Sequence, residues 1–190
     1  MQGQTPDLDL PMDSQAPHLE VALLRQAVIL LEGLPDSLYT CTTSFTPEGT
    51  VGRHMRHCVD FFERFLDGLP TGRIDYADRR RDPKIESSRS VALARLAELE
   101  RRLATFTVFD PRRSILVRPE DDDLNPRDPE TWFPSSVGRE LRFLASHTVH
   151  HFALIAVLLR TLGHPTDPEF GVAPSTLRQW SQVGRPSQIR

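Results

Sequence analysis

The sequence predicts an all-α fold, a four-helix bundle with long crossover loops. Four stretches carry apolar residues at helical spacing, a single short stretch has strand character, and no internal repeat is present. With 38% hydrophobic residues, a chain of 190 residues can bury one ordinary core. Amphipathic helices of this kind bury their apolar stripes by packing against one another. We expect one domain at 17–180, a disordered tail at 1–16 and a C-terminal tail at 181–190.

The predicted helices are bounded by glycine, proline and capping residues. They cover 19–34, a second stretch that ends at Gly68, then 87–106 and 135–162. The fourth is the longest, with Ser135 or Ser136 as its N-cap and Gly163 at its end. The charged segment 71–83 is expected to form a crossover loop, and 114–123 a short extended piece closed by an acidic turn.

Charge and composition argue against several classes of function. The 23 basic and 26 acidic residues give a formal charge of -3, without a basic stripe that would bind nucleic acid. No uncharged apolar run is long enough to predict a membrane span, and the acidic start does not resemble a signal peptide. Cys41 and Cys58 are too few for a disulfide framework. We expect a cytoplasmic protein that binds neither nucleic acid nor a membrane.

Five of the seven histidines lie in two tight groups, and this clustering is the strongest functional signal. The second predicted helix carries His54 and His57, and the fourth carries His147, His150 and His151. Residues four apart lie on one face of a helix, so His147 and His151 can bind one ion together. A third imidazole from the second helix would complete a three-histidine site with an open coordination position, as in catalytic zinc sites.

Spacing alone leaves alternatives open within each group. His150 and His151 point about 100° apart on a helix and cannot readily bind the same ion, whereas a pair of His147 and His150 is geometrically possible. On the second helix, either His54 or His57 can supply the third ligand. A lone histidine on an apolar helix face is more often a packing residue than a ligand, and it is the second cluster that favours a metal site.

Several ordered segments together resemble the DinB/YfiT-like metalloenzymes, which are four-helix bundles with a three-histidine metal site. The resemblance covers 17–180, and its segments are VGRHMRHCVDFF (51–62), IDYADRRRD (74–82), GRELRFLASHTVHHFALIA (138–156) and FGVAPSTL (170–177). In that family one ligand lies on the second helix, just before a hydrophobic pair and an acidic residue, and two form an HxxxH motif on the last long helix. The resemblance therefore implies His57, His147 and His151 as ligands.

Four further residues are candidates for the surroundings of the ion. His54 and His150 fit the pattern of a subgroup of this family, which implies that they line the pocket or bond to the ligands. Asp60, one turn after the histidine ligand of the second helix, can hold an imidazole N–H. Glu140, two turns before the HxxxH motif, is a candidate to orient a ligand or to act as a base, although a glutamate at a helix start also favours the helix dipole.

The crossover loop and the start of the fourth helix supply the remaining candidates. Arg79, Arg80 and Arg139 can receive a carboxylate-bearing cosubstrate, but solvated surface charge explains them more simply. Tyr76 is a candidate for the pocket, although an aromatic residue in a loop usually packs against the core.

The resemblance implies a function without naming one reaction. Relatives include transferases or isomerases that use a low-molecular-weight thiol, as well as hydrolases. The leading hypothesis is a metal-dependent enzyme of one of these types, in which zinc or nickel, or else iron, activates a thiolate or water. The alternative is a non-catalytic helical bundle that has a structural or vestigial metal site and acts through partner binding. We expect a homodimer and a small-molecule substrate.

Overall fold

A computed structural model of the chain describes residues 18–43, 49–106, 110–120, 125, 127–128 and 131–184. Its helices are α1 (His18–Gly33), α2 (Asp36–Tyr39), α3 (Val51–Gly68), α4 (Pro83–Ser87), α5 (Arg89–Ala104), α6 (Val137–Thr161) and α7 (Pro174–Val183). Its strands are β1 (Arg73–Asp75), β2 (Ser114–Arg118) and β3 (Phe133–Ser136). The predicted tail at 1–16 lies outside the described residues. Helix α7 continues past 180, where we expected the domain to end.

The four long helices build the main body of the fold. Helices α1 and α3 each pack against both α5 and α6, so the apolar stripes of all four meet in one core. Buried core residues of these helices include Leu24, Leu31, Met55, Phe62, Leu96, Leu103, Leu144 and Ile155. The predicted fold is confirmed in its mainly helical character and in the positions of these four helices.

A small three-stranded sheet corrects the all-α prediction. The strand order is β1-β2-β3, in which β1 runs parallel to β2 and β2 runs antiparallel to β3. The extended piece predicted from residue 114 is confirmed as β2, whereas the crossover loop at 71–83 contains β1. Strands of three or four residues are too short to show an alternating pattern, and their partners lie far away in the sequence.

Helix boundaries differ from the predicted ones at two places. The third predicted helix, expected over 87–106, is α5 (Arg89–Ala104), and the short helix α4 (Pro83–Ser87) precedes it. The two are separate because Ser88 between them adopts an extended conformation with φ -132°. The fourth begins only at Val137, since Ser135 belongs to β3 and Ser136 is the N-cap, its side chain accepting a hydrogen bond from the Arg139 backbone N–H. One of the two predicted capping residues is therefore confirmed.

The end of α3 lies directly against β1, and this contact directs the following loop toward the helices. A Cβ atom on Gly68 would lie 2.3 Å from the backbone oxygen of Arg73, so only glycine allows the approach. Beyond β1, the Tyr76 backbone N–H donates to the carbonyl of Arg118 at 3.0 Å. The segment that carries Tyr76 and Arg79 is thereby attached to the sheet beside α3.

Helix α6 is the element that joins the core to the site. In length and composition it is apolar enough to cross a membrane. In this fold it packs against α1 and α3, and it carries the fully buried Glu140 together with partly buried histidines. These features are those of the core helix of a folded domain.

Candidate metal centre

Helices α3 and α6 bring three histidines together. His57 lies in the middle of α3, and His147 and His151 lie one turn apart on α6. Nε2 of His57 is 2.8 Å from Nε2 of His147. One ring nitrogen from each of the three residues lies within 4.8 Å of the others. Within the described part of the chain, this is the group of side chains whose spacing suits a metal ion.

The two other clustered histidines lie beside this group. Nδ1 of His54 is 3.0 Å from Nδ1 of His151, which directs His54 toward a member of the cluster from outside it. His150 is exposed, and its ring centre is 5.2 Å from that of His151 in an edge-on contact. Geometry thus favours His57 over His54 as the third member and His151 over His150, in agreement with the set that the resemblance implies.

Burial keeps the clustered imidazoles neutral. Burial, together with repulsion from neighbouring histidines and arginines, lowers the pKa of His57 from its ordinary value of 6.5 to about 2. Burial is also the main cause that lowers the pKa of His147 to about 4 and that of His151 to about 3. The pKa of His54 is also lowered, chiefly by burial. A neutral imidazole has a free lone pair, which is the form that binds a metal ion.

These low pKa values predict that the metal-free protein loses stability in mild acid. The unfolded chain takes up protons on its histidines below about pH 6.5, whereas the folded cluster stays neutral until the pH approaches 4. Stability is therefore full above pH 6.5 and falls as the pH is lowered through the interval between the two values. Urea denaturation between pH 7.5 and 4.5 measures this loss.

The variant that tests the acid effect is His57→Asn, which removes one imidazole that has a lowered pKa. This variant should show a shallower decrease of the free energy of unfolding with falling pH than the parent. His164→Asn, outside the cluster, should keep the parent's slope. If the free energy of unfolding decreased equally with falling pH in the parent and in His57→Asn, the acid effect would not come from the lowered pKa of His57.

Arg79 is the loop residue that reaches the cluster. Its Nη1 donates to Nδ1 of His57 at 2.9 Å, its other terminal nitrogen pairs with Glu120, and only 6% of its side chain is exposed. The guanidinium also lies over the ring of Phe61, 5.4 Å from the ring centre. Arg80, in contrast, is exposed and lies 3.6 Å from Asp67. Of the two candidates Arg79 and Arg80, it is Arg79 that bonds to a histidine of the cluster.

Asp60, one turn after His57, and Glu140, two turns before His147, are both buried and bond to residues outside the cluster. Asp60 Oδ2 accepts from Arg56 Nη1 at 3.0 Å, while burial raises the pKa of its carboxyl against the opposing effect of that arginine. Glu140 Oε1 accepts from Ser135 Oγ at 2.5 Å and from Arg139 Nη1 at 2.7 Å. Among the described residues, neither carboxylate holds an imidazole N–H, the role suggested for Asp60. Nδ1 of His57 instead accepts a hydrogen bond from Arg79.

An aromatic layer borders the histidines, and the sequence analysis missed two of its members. Phe61 and Phe143 lie 4.4 and 5.4 Å from the ring of His147, and Tyr76 stacks on Phe61 at 5.0 Å. Phe61 follows His57 by four residues and Phe143 precedes His147 by four. The i,i+4 spacing to a histidine was the available signal, since such residues share a helix face. Tyr76 therefore packs against Phe61, as an aromatic residue in a loop usually does, and it also lies beside the cluster.

Cys58, adjacent to His57, takes no part in the cluster. It is buried in the core, and burial raises the pKa of its thiol to about 12. Its interpretation as a small buried apolar residue agrees with this environment, because a reactive cysteine needs a stabilised thiolate.

The comparison with known families decides the membership of the chain. A sequence model of the DinB superfamily matches residues 21–155, a region that contains the three converging histidines. The chain belongs to the DinB superfamily. The match also includes α3, the loop that carries Arg79 and most of α6. The resemblance stated for 51–62, 74–82 and most of 138–156 is thereby supported by an independent comparison, while 170–177 lies beyond the matched region.

One curated relative shares part of the sequence. The chain is 28% identical over 105 residues to FK506-binding protein 5 of Rhizopus delemar, a stretch that makes up 55% of this chain and 27% of that protein. The chain thus covers about a quarter of this relative, and FK506 binding remains a property of that protein. No solved structure matches the chain.

Proposed function

We propose that this DinB-superfamily protein binds one divalent metal ion through His57, His147 and His151. The observation that carries the proposal is the convergence of one nitrogen from each residue within 4.8 Å. In a tetrahedral zinc site with bonds of about 2.0–2.1 Å, ligand nitrogens lie about 3.3 Å apart. Small side-chain rotations would bring the three imidazoles to that separation, and their lowered pKa values leave the lone pairs free near neutral pH.

The donor set favours ions of intermediate softness. Imidazole suits zinc, nickel and iron, and of these we propose zinc or nickel first. The arrangement of four long helices around the site would then be a four-helix bundle of DinB type, with the small sheet as an addition at one end of α3 and α6. The cytoplasmic location and the homodimer expected from the sequence remain part of this proposal.

We further propose that the protein is a metal-dependent enzyme of thiol-dependent transferase or hydrolase type. Three protein ligands leave a coordination position open, and a bound divalent ion lowers the pKa of a thiol or water that occupies it. Arg79, paired with Glu120, would supply a fixed positive charge beside the cosubstrate. The aromatic layer of Phe61, Tyr76 and Phe143 would limit access of water from its side.

Cobalt substitution tests whether the site binds metal and keeps an open position. Protein without a histidine tag, purified without chelator, should contain about one metal ion per chain by elemental analysis. After exchange with Co²⁺, addition of a low-molecular-weight thiol should produce an intense thiolate-to-cobalt absorption band. A His147→Ala variant should show neither metal nor band.

Two outcomes would overturn parts of this proposal. A parent that contains no metal and takes up neither Zn²⁺ nor Ni²⁺ would refute the metal site and leave a helical interaction protein. A cobalt spectrum that responds neither to thiols nor to small anions would indicate a closed, structural site, and would refute the catalytic part alone.

A further inference from the structure

The partner of Nδ1 determines where His57 carries its ring proton. Nδ1 of His57 is 2.9 Å from Nη1 of Arg79, and a guanidinium can only donate hydrogen bonds. Nδ1 of His57 therefore carries no proton. An imidazole without a metal ion keeps at least one N–H, so the proton of His57 lies on Nε2, the nitrogen that is 2.8 Å from Nε2 of His147.

This proton lies on the nitrogen that the proposed metal site needs as a ligand. For His57 to offer the lone pair of Nε2, it must carry its proton on Nδ1, since a neutral imidazole has one N–H. That N–H would face Nη1 of Arg79, and two donors cannot form a hydrogen bond with each other. The observed contact with Arg79 and the use of Nε2 as a ligand therefore exclude each other.

His151 has the surroundings that suit a metal ligand. Its Nδ1 is 3.0 Å from Nδ1 of His54, a nitrogen that can accept a hydrogen bond. A metal-binding histidine almost always donates its other ring N–H to an acceptor, which fixes the proton on the nitrogen away from the ion. His57 has a donor in that place. The surroundings of His57 therefore oppose metal binding, whereas those of His151 favour it.

Arg79 can leave His57 and keep its ion pair. Its Nη2 pairs with Glu120, whose side chain is 42% exposed. Its Nε is buried and has no hydrogen-bond partner in the described structure. A buried N–H without an acceptor is costly, so the observed position does not satisfy all the donors of the guanidinium. A rotation of the side chain toward Glu120 would keep the ion pair and release Nδ1 of His57.

We propose that Arg79 regulates the metal site by competing with the ion for His57. In the metal-free protein, the hydrogen bond from Arg79 holds the proton of His57 on Nε2. For Nε2 to become a ligand, its proton returns to solvent, Nδ1 takes up another, and Arg79 turns toward Glu120. The charge of His57 is the same before and after. This inference rests on the proposed metal site, and it makes Arg79 a residue that lowers the affinity of that site.

The position of the ring proton in His57 tests the proposal in the unsubstituted protein. Long-range ¹H–¹⁵N correlation spectra of the ¹⁵N-labelled full chain show which ring nitrogen of a histidine carries the proton, and His57→Asn identifies the signals of His57. In the metal-free protein the proton should be on Nε2. After addition of Zn²⁺ it should be on Nδ1, and the side-chain signals of Arg79 should shift at the same time.

Substitution of Arg79 should change the metal affinity in an unusual direction. Arg79→Met removes the donor and should raise the affinity for Zn²⁺ by about tenfold or more, because a charge-assisted hydrogen bond no longer has to be broken. Removal of a residue that orients a ligand would lower the affinity by about ten- to a hundredfold. Arg80→Met removes an equal charge from the same loop and is the matched control, since Arg80 lies beside Asp67. Competition with a chromophoric chelator measures all three proteins.

Two kinds of result would overturn the competition and leave the metal site in place. One is a lower affinity of Arg79→Met, or an equal increase in Arg79→Met and Arg80→Met. The other is a ring proton of His57 that lies on Nδ1 before Zn²⁺ is added or stays on Nε2 afterwards. Absence of Zn²⁺ uptake by both the parent and Arg79→Met would refute the proposed site itself, and the inference with it. If Arg79→Met does not fold, the ring proton of His57 decides the question.

Discussion

Alanine in place of His57, His147 or His151 is expected to weaken divalent-metal binding by more than about a hundredfold. Residues that only orient a ligand already contribute about ten- to a hundredfold, so loss of a ligand itself should exceed that range. Each of the three nitrogens lies within 4.8 Å of the other two, and no single one should be dispensable. Competition with a chromophoric chelator for Zn²⁺ near neutral pH measures the affinity.

The neighbouring histidines provide graded controls for this experiment. His54→Ala removes a contact of 3.0 Å to Nδ1 of His151 and should weaken binding by about tenfold, as expected for a residue that orients a ligand. His150→Ala, at an exposed position, should leave the affinity near that of the parent. If His150→Ala weakened binding as strongly as His147→Ala, the ligand set would be wrong.

Alanine in place of Gly52 is expected to lower the free energy of unfolding by about 3 kcal/mol. A Cβ atom at this position would lie 2.0 Å from the backbone oxygen of Glu86 and 2.9 Å from the ring of Tyr39. The first contact is with backbone, so relief requires a shift of α4 relative to α3. Such a shift would also strain the hydrogen bond of 2.7 Å from the Tyr39 hydroxyl to the carbonyl of Ile85.

Gly33 at the end of α1 is the matched control for Gly52. A Cβ atom there meets nothing within 4 Å, so Gly33→Ala should change stability by less than about 1 kcal/mol, with alanine favoured by its helix propensity. Urea denaturation of the metal-free proteins compares the two variants. Equal stability of Gly52→Ala and Gly33→Ala would mean that α3 and α4 do not approach as closely as described.

The fold was predictable where a regular pattern extends over many residues. The stripes of the four long helices repeat over several turns, and Ser136 carries a capping signal next to the stripe it begins. The three-residue strand β1 has no such pattern, and its pairing with β2 joins segments about 40 residues apart, for example Arg73 with Leu116. Local sequence carries no information about that partner, which is why the sheet was missed.

The histidine cluster, likewise, was more predictable from the sequence than the residues that surround it. The HxxxH spacing was sufficient to pair His147 with His151, because helical periodicity fixes which residues share a face. His57 was named from the family resemblance. The same reasoning could not predict which residue forms a hydrogen bond with Nδ1 of His57. Arg79 reaches it from a loop whose path is set by the close contact of Gly68 with β1, and Asp60, one turn away on α3, bonds to Arg56.

By itself, the sequence determined a mainly helical protein with His147 and His151 on one face of its longest helix, since both features follow from the period of the α-helix. The choice of His57 as the third histidine came from the family resemblance. Only the tertiary structure decided which side chains surround those histidines, among them Arg79, Phe61 and Phe143. The physical reason is that hydrogen bonds and aromatic contacts extend only a few ångströms. Which distant residues come within that range depends on how the helices, the short sheet and the loop pack together.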